Sequence, residues 1–144
     1  MQILILYGPN LNLLGLVSRN TGDRLTLDKI NRALRRKAGE LNVELKIYQD
    51  QSESNASKIV QRQRNKVEGI ILIPGIWVQT GYLLRETVEI TGLPLAVFHL
   101  APQAGPWDHE KASIFEETAG LVDTGSTMDA LTAFLENFVN QLKA

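Results

Sequence analysis

The sequence contains no cysteine, and this absence excludes disulfide bonds, thiolate catalysis and cysteine-ligated metal sites. Histidine occurs only twice in the 144 residues, and no acidic cluster stands at ligand spacing. A transition-metal site built by the protein is therefore not expected. A cysteine-free chain is typical of the cytoplasm, where we expect the protein to be located.

Long hydrophobic runs and an excess of charge of one sign are also lacking. The apolar run "ILIL" at residues 3–6 is too short for a signal core or a membrane span, and no charged region precedes it. The formal net charge is −1, so nothing attracts the chain as a whole to nucleic acid or to an anionic membrane. We expect neither as a partner.

What is present is an ordinary globular mixture, with 44% hydrophobic residues, in a chain of the length of one domain. Short apolar runs alternate with helical patterns, and several runs are apolar at consecutive positions, as in strands covered on both faces. The predicted strands are Ile3–Leu6, Val43–Tyr48, Gly69–Ile73, Leu93–Phe98 and Gly120–Val122.

The stretches between these runs predict helices. Thr26 can cap the first, whose apolar positions repeat with helical spacing. The others are predicted to begin at Ser54 or Asn55 and continue to about Arg64, to span Tyr82–Thr91, to form a short helix over 111–118, and to begin at Ser126 or Thr127.

This alternation predicts an α/β fold with residues 1–144 in a single domain. We expect a flavodoxin-like three-layer sandwich, in which a five-stranded parallel sheet has the order 2-1-3-4-5. Turn-forming, polar segments follow three of its neighbouring strands: "YGPNLN" at 7–12, "LIPGIWVQTG" at 72–81 and "VFHLAPQAGP" at 97–106. Because parallel strands end at the same edge of a sheet, these segments predict a binding cleft there.

Four short motifs resemble the type II 3-dehydroquinate dehydratases, in the same order and over essentially the whole chain. They are "GPNLNLLG" at 8–15, "PG" at 74–75, "TGYLLRE" at 80–86 and "HL" at 99–100. The resemblance implies a flavodoxin-like fold, no metal or organic cofactor, and a homo-oligomer of trimers grouped into dodecamers.

The resemblance also implies a reaction, the dehydration of 3-dehydroquinate to 3-dehydroshikimate in the shikimate pathway of aromatic amino acid biosynthesis. In that family a tyrosinate removes a proton beside the ketone, an Asn stabilises the resulting enolate through a water molecule, and a His protonates the leaving hydroxyl. Carried to this sequence, Asn10 matches the enolate-side Asn and His99 matches the general acid. The ligand implied is a small-molecule carboxylate.

The segment that should carry the base departs from the family pattern. This lid segment reads "GLVSRNTGDRLTL" at 15–27 and holds no Tyr, although Arg19 or Arg24 can close over an anionic ligand. Tyr7 is one candidate replacement base if its ring points into the cleft, and packing at the sheet edge is the alternative reading of the same residue. Asp23 is a second candidate base.

The predicted pocket departs as well. Ile73 replaces a polar Asn of the family, and together with Trp77 and Val78 it makes the cleft more apolar. Gln79 replaces a His of the family and is a candidate substrate-binding residue. The backbone N–H groups of Leu100 and Ala101 are candidates for binding a carboxylate. Arg85 and Glu86 are assigned to a subunit contact.

Three functions fit these observations. The first is a dehydratase with a rearranged lid, and the second is a related enzyme acting on a less polar substrate. The third is a non-catalytic binding or oligomeric protein on the same scaffold. A flavodoxin-like electron carrier fits poorly, because the loop after the first strand lacks a Ser- and Thr-rich phosphate cradle and the chain is not acidic.

Overall fold

The computed structural model of the chain describes residues 1–19, 24–101, 106–107 and 113–144. Within these ranges five strands form one parallel sheet with the spatial order β2-β1-β3-β4-β5, which confirms the predicted order and fold class. The strands are β1 Gln2–Tyr7, β2 Glu44–Gln49, β3 Gly69–Ile73, β4 Leu95–Leu100 and β5 Leu121–Gly125.

Helices connect the strands and cover both faces of the sheet. The helices of the described ranges are α1 Leu14–Val17, α2 Leu27–Glu40, α3 Glu53–Gln63, α4 Trp77–Thr80, α5 Tyr82–Thr91 and α6 Met128–Lys143, with a 3-10 turn at Leu11–Leu13. Thr26 caps α2 and Thr127 caps α6, as two of the sequence predictions proposed. No helix of the described residues is long and apolar enough to cross a membrane.

The side chains of the sheet divide into two cores because successive residues of a strand point to opposite faces. Ile3, Ile5 and Tyr7 of β1 belong to the core shared with α2 and α6. Leu4 and Leu6 belong to the core shared with α3 and α5. This double burial is the physical reason for the consecutive apolar positions in the sequence.

Several predicted boundaries need correction. Helix α3 is capped by Ser52, whose hydroxyl accepts from the N–H of Asn55 at 3.2 Å, so neither Ser54 nor Asn55 is the cap. The predicted helix over 111–118 is wrong for its described part, since residues 113–118 lie outside any helix and 114–118 form turns. Strands β4 and β5 run to Leu100 and Gly125, further than predicted.

Candidate active site

A small cleft opens at the edge of the sheet where β1, β3 and β4 end. Its cavity volume is about 20 Å³, space for about one water molecule, and the described residues that line it are Leu11, Ile73, Pro74, Gly75, Val78, His99, Leu100 and Trp107. Most of these surfaces are apolar; the polar side-chain groups among them are the imidazole of His99 and the indole N–H of Trp107. The predicted cleft is therefore present, and Ile73 and Val78 line it as the sequence indicated.

His99 is part of β4 and not of the loop after it, which corrects the predicted end of this strand. It is paired with Thr124 of β5 in the sheet register, and its side chain is half-buried. Because the strand backbone is held by pairing with β5 at this position, the direction in which the His99 side chain leaves the backbone is set by the sheet. The scaffold thus presents the imidazole from a rigid element.

Two glycines allow the loops around the cleft to approach closely. The N–H of Gly8 donates to the carbonyl oxygen of Ile73 at 2.8 Å, and a Cβ on Gly8 would overlap the carbonyl oxygen of Pro74. Gly75 has φ of 57°, and a Cβ there would lie 2.9 Å from Leu11 Cδ2 and 3.3 Å from Trp107 Nε1. These contacts explain why the turn after β3 contains a glycine.

Asn10 lies at the rim of this edge, exposed, with its backbone in the left-handed region at φ 67°. Its N–H donates to Gln51 Oε1 at 2.6 Å, and its Oδ1 accepts from Gln51 Nε2 at 2.9 Å. It is not among the described residues that line the cleft, although the adjacent Leu11 is. The structure therefore brings His99 and the Asn10 segment to one edge without direct contact in the cleft lining.

Tyr7 does not point into the cleft. Its ring is fully buried in the core beside α2, and its hydroxyl donates to Asn31 Oδ1 at 2.8 Å. Burial raises the pKa of the Tyr7 hydroxyl well above its ordinary value. Because a base must ionise and reach the substrate, this environment opposes the assignment of Tyr7 as a replacement base.

The residues predicted to bind an anion from the lid do not line the cleft in the described structure. Arg19 is exposed, and the Nε of Arg24 donates to the carbonyl oxygen of Gly15 at 3.1 Å. Arg24 borders a separate hollow together with Lys29 and the start of α6. Asp23 lies outside the described residues, and its assignment as a base remains a prediction.

The N–H groups of Leu100 and Ala101, both predicted to bind a carboxylate, differ in their surroundings. The N–H of Ala101 donates to the carbonyl oxygen of Gly125 at 2.8 Å, so it continues the pairing of β4 with β5 and is not offered to a ligand. Leu100 lines the cleft, and its role as a backbone donor remains a prediction. Gln79 lies half-buried in α4, outside the described lining.

Arg85 is engaged within the chain. Its Nη1 donates to the carbonyl oxygen of Ile114 at 3.3 Å, its Nε lies 3.6 Å from Glu89 Oε1, and its guanidinium stands 5.1 Å from the centre of the Tyr82 ring. Glu86 is exposed on the same helix. The assignment of both residues to a subunit contact remains a prediction.

The aromatic residue of the cleft was misassigned from the sequence. Trp77 is 3% exposed and packs in the core beside α3 and α5, whereas Trp107 lines the cleft. The signal that could have found Trp107 is its position directly after "GP" at 105–106, in the segment that follows β4. Gln51 was missed too, although it follows β2, the strand that neighbours β1.

No three His, Asp or Glu side chains of the described ranges gather as a metal-binding group. The cleft instead offers one imidazole, backbone groups at strand ends and apolar walls. An imidazole at this edge of the sheet can exchange a proton with a molecule that binds there.

Comparison with known proteins gives a consistent match along the chain. The family model described as Dehydroquinase class II matches residues 1–139. A 3-dehydroquinate dehydratase from Pelotomaculum thermopropionicum is 34% identical over 119 residues, which cover 83% of this chain and 83% of that protein. One from Prochlorococcus marinus is 30% identical over 144 residues, covering 100% and 97%.

A solved structure extends the comparison to the fold. The type II dehydroquinase crystal structure from Butyrivibrio crossotus covers 100% of this chain and 98% of its own, with a TM-score of 0.83 at 20% identity. At this identity the structural likeness supports the shared fold alone.

Proposed function

Because the chain belongs to the class II dehydroquinase family, we propose that it is a dehydratase-type lyase acting on a cyclic hydroxy ketone with a carboxylate, the class of 3-dehydroquinate. The observation that carries the proposal is the position of His99. Its imidazole lines the cleft at the carboxyl edge of the sheet, where ligands of such folds bind. An imidazole is suited to proton transfer near neutral pH.

In the proposed reaction a base removes a proton from the carbon beside the ketone, and an enolate forms. The enolate then expels the hydroxyl group from the next carbon; His99 supplies its proton, so the C–O bond breaks and water leaves. The product is a conjugated enone. Asn10 stabilises the negative charge on the enolate oxygen from the rim of the cleft.

The remaining role to assign is that of the general base, which accepts the proton from the substrate. Tyr7 is opposed by its burial and its bond to Asn31. Asp23 is the remaining candidate from the sequence, and we propose it as the proton acceptor. A carboxylate acting as general base would supply about 10²–10⁴ in rate.

The test is incubation of the purified protein with 3-dehydroquinate, prepared from a host without its own dehydratase, while the absorbance of the enone product is followed. We expect turnover that falls by about 10²–10⁴ in His99→Ala and in Asp23→Asn. Gln61→Ala is the matched control, since Gln61 is an exposed residue of α3 outside the cleft. No turnover by the wild type at high enzyme concentration would contradict the proposal, as would full turnover by His99→Ala.

The apolar lining of the cleft favours a second candidate, a related enzyme or binding protein whose ligand carries fewer hydroxyl groups. Ile73 is 1% exposed in the protein and faces this cleft together with Val78. Each hydroxyl left without a partner against such a wall would cost roughly 1–3 kcal/mol of binding free energy. A monocarboxylic acid with an apolar ring avoids that cost.

Calorimetric titration distinguishes the two candidates. If the second candidate function is correct, the protein binds benzoate more tightly than 3-dehydroquinate, and the substitution Ile73→Thr reduces this difference in affinity. If the wild type binds 3-dehydroquinate more tightly than benzoate, the second candidate function is excluded.

A further inference from the structure

The exposed side chain of Gln51 makes a two-bond ring with the residue assigned to the enolate side of the site. Gln51 Oε1 accepts from the backbone N–H of Asn10 at 2.6 Å, and Gln51 Nε2 donates to Asn10 Oδ1 at 2.9 Å. One side chain therefore fixes both the backbone and the amide of Asn10.

The strand register explains why Gln51 reaches this place. Tyr7 is paired with Gln49 in the register of β1 and β2, and the N–H of Asp50 continues the pairing by donating to the carbonyl oxygen of Tyr7 at 3.2 Å. Gln49 Nε2 donates to the carbonyl oxygen of Gly8 at 3.2 Å and to Gln51 Oε1 at 3.0 Å. The end of β2 thus holds the segment Gly8–Asn10 from the side.

The amide orientation has a chemical consequence. Because Asn10 Oδ1 accepts from Gln51, the Nδ2 group of Asn10 is the end of the amide turned away from Gln51. An Nδ2 group donates hydrogen bonds, which is what a developing enolate oxygen needs. If the amide were reversed, it would present an oxygen and repel that charge.

The backbone of Asn10 also needs support. A non-glycine residue at φ 67° occupies the sparsely populated left-handed region, and Asn is among the residues that tolerate it best. The bond from its N–H to Gln51 favours this conformation over an extended one.

We propose that Gln51 is a positioning residue that holds the Asn10 amide with its donor end available for negative charge on a ligand. The catalytic part of this inference rests on the proposed dehydratase function. The positioning itself does not, because it concerns the orientation of Asn10 in the protein alone.

Two substitutions separate orientation from stability. Gln51→Ala removes both bonds. Gln51→Glu keeps an acceptor for the Asn10 N–H but replaces the donor Nε2 with oxygen, so the Asn10 amide must reverse and donate through Nδ2. Since Gln51 is exposed, we expect both variants to unfold at nearly the wild-type urea midpoint. Gln61→Ala is the control for loss of an exposed glutamine.

The measurement has two arms. The first follows the side-chain amide signals of Asn10 by NMR, identified by their loss in Asn10→Ala. We expect these signals to move in both Gln51 variants and to stay in place in Gln61→Ala. The second follows dehydration of 3-dehydroquinate, where kcat is expected to fall about 10- to 100-fold in both variants with KM little changed.

The outcomes are distinguishable. Unmoved Asn10 signals in Gln51→Ala would overturn the proposal, and so would a kcat within twofold of wild type when Asn10→Ala has lost activity. Absence of wild-type turnover would contradict the proposed function instead, and the NMR arm would still decide whether Gln51 orients Asn10.

Discussion

The hydroxyl of Tyr7 donates a 2.8 Å hydrogen bond to the side-chain oxygen of Asn31, and this bond joins the end of β1 to the amino-terminal half of α2. The Tyr7 ring is fully buried in the core that also contains Leu11 and Leu14. The residue that stands directly before the "GPN" motif is therefore part of the core that supports the cleft and not part of its lining.

We predict that Tyr7→Phe lowers the free energy of unfolding at neutral pH by roughly 0.5–1.5 kcal/mol, the typical net value of one hydrogen bond. Since burial raises the pKa of the Tyr7 hydroxyl, the native state keeps its proton when the unfolded chain begins to lose it, near pH 10. The free energy of unfolding of the wild type therefore falls as pH rises further. Tyr7→Phe has no hydroxyl at this position, so this group contributes no such fall to the variant. The stability difference between the two proteins should shrink above about pH 10.

Urea unfolding of both proteins from pH 7 to pH 11 measures this difference. Tyr82→Phe is the control for loss of a tyrosine hydroxyl outside the core, because Tyr82 is 57% exposed. Dehydration activity should be the same in Tyr7→Phe as in the wild type; a large loss would return Tyr7 to the list of candidate bases.

Gly75 and Gly92 form a matched pair for measuring the packing of the cleft. Both have positive φ, at 57° and 70°, but a Cβ on Gly75 would contact Leu11, Pro9 and Trp107, whereas a Cβ on Gly92 meets nothing within 4 Å. Gly92→Ala should cost roughly 1–2 kcal/mol from backbone strain alone. Gly75→Ala should cost about 1–3 kcal/mol more, the usual cost of overpacking.

Thermal or urea unfolding of the two alanine variants gives the comparison. Equal losses of stability would mean that the cleft wall yields to a methyl group without cost. The close contacts of Leu11 and Trp107 with Gly75 would then contribute nothing to the loss of stability.

A side chain of another helix accepts a hydrogen bond from the first turn of helix α5. Its own preceding residue is Gly81, which has no side chain for capping, and Glu53 Oε2 of α3 accepts from the N–H of Leu84 at 3.0 Å. Glu53→Ala should lower the free energy of unfolding by about 1 kcal/mol, as expected for loss of a cap. Glu53→Gln keeps an acceptor oxygen and should lose only the charge contribution, about 0.3–1 kcal/mol.

Chemical unfolding at low and high salt tests this arrangement. The difference between the wild type and Glu53→Gln should narrow at high salt, since salt screens the interaction of the carboxylate with the helix dipole. Stabilities of Glu53→Ala and Glu53→Gln that both equal the wild type would show that the contact contributes nothing.

The two tryptophans provide an internal report on ligand binding. Trp107 lines the cleft and is half-buried, whereas Trp77 is 3% exposed and lies in the core. A ligand entering the cleft should therefore change the fluorescence of Trp107. Titration with 3-dehydroquinate or benzoate should give a signal that Trp77→Phe retains and Trp107→Phe loses; the reverse pattern would place the ligand elsewhere.

Much of the fold was readable because the sheet is covered on both faces. Runs such as Ile3–Leu6 and Gly69–Ile73 are apolar without alternation, and that pattern with intervening helices predicts the observed parallel order. Thr26 was identifiable as a cap because it stands directly before a periodic apolar face, and Thr127 was one of two candidates, with Ser126, for the cap of α6.

The start of α3 was predicted wrongly because Ser52, Ser54 and Asn55 all carry side-chain oxygens that can cap a helix. Tertiary structure decides among them: a helix that begins after Ser52 places Glu53 where it accepts from Leu84. Local sequence cannot contain that information, because the partner lies on another helix.

The site was predictable in outline only. Their positions at strand ends indicated Asn10 and His99. The sequence did not indicate the hydrogen bond from Gln51 to the Asn10 amide, because the position of Gln51 depends on the register of β2 against β1. The position of Trp107 directly after a Gly and a Pro was a signal, but Trp77 also stands close after a Pro and a Gly, so this signal alone did not decide which of the two is the cleft aromatic.

The strand order also has a kinetic consequence. Leu11, Ile73 and His99 are distant in the chain and come together only when β1, β3 and β4 are all paired. The β1–β3 pairing spans α2, β2 and α3, and the β3–β4 pairing spans α4 and α5. Such non-local pairings close slowly, so the cleft should be assembled late in folding, after the individual helices have formed. A nascent or partly folded chain would contain the residues of the site without the cleft, and binding of a cleft ligand would report that β1, β3 and β4 have paired.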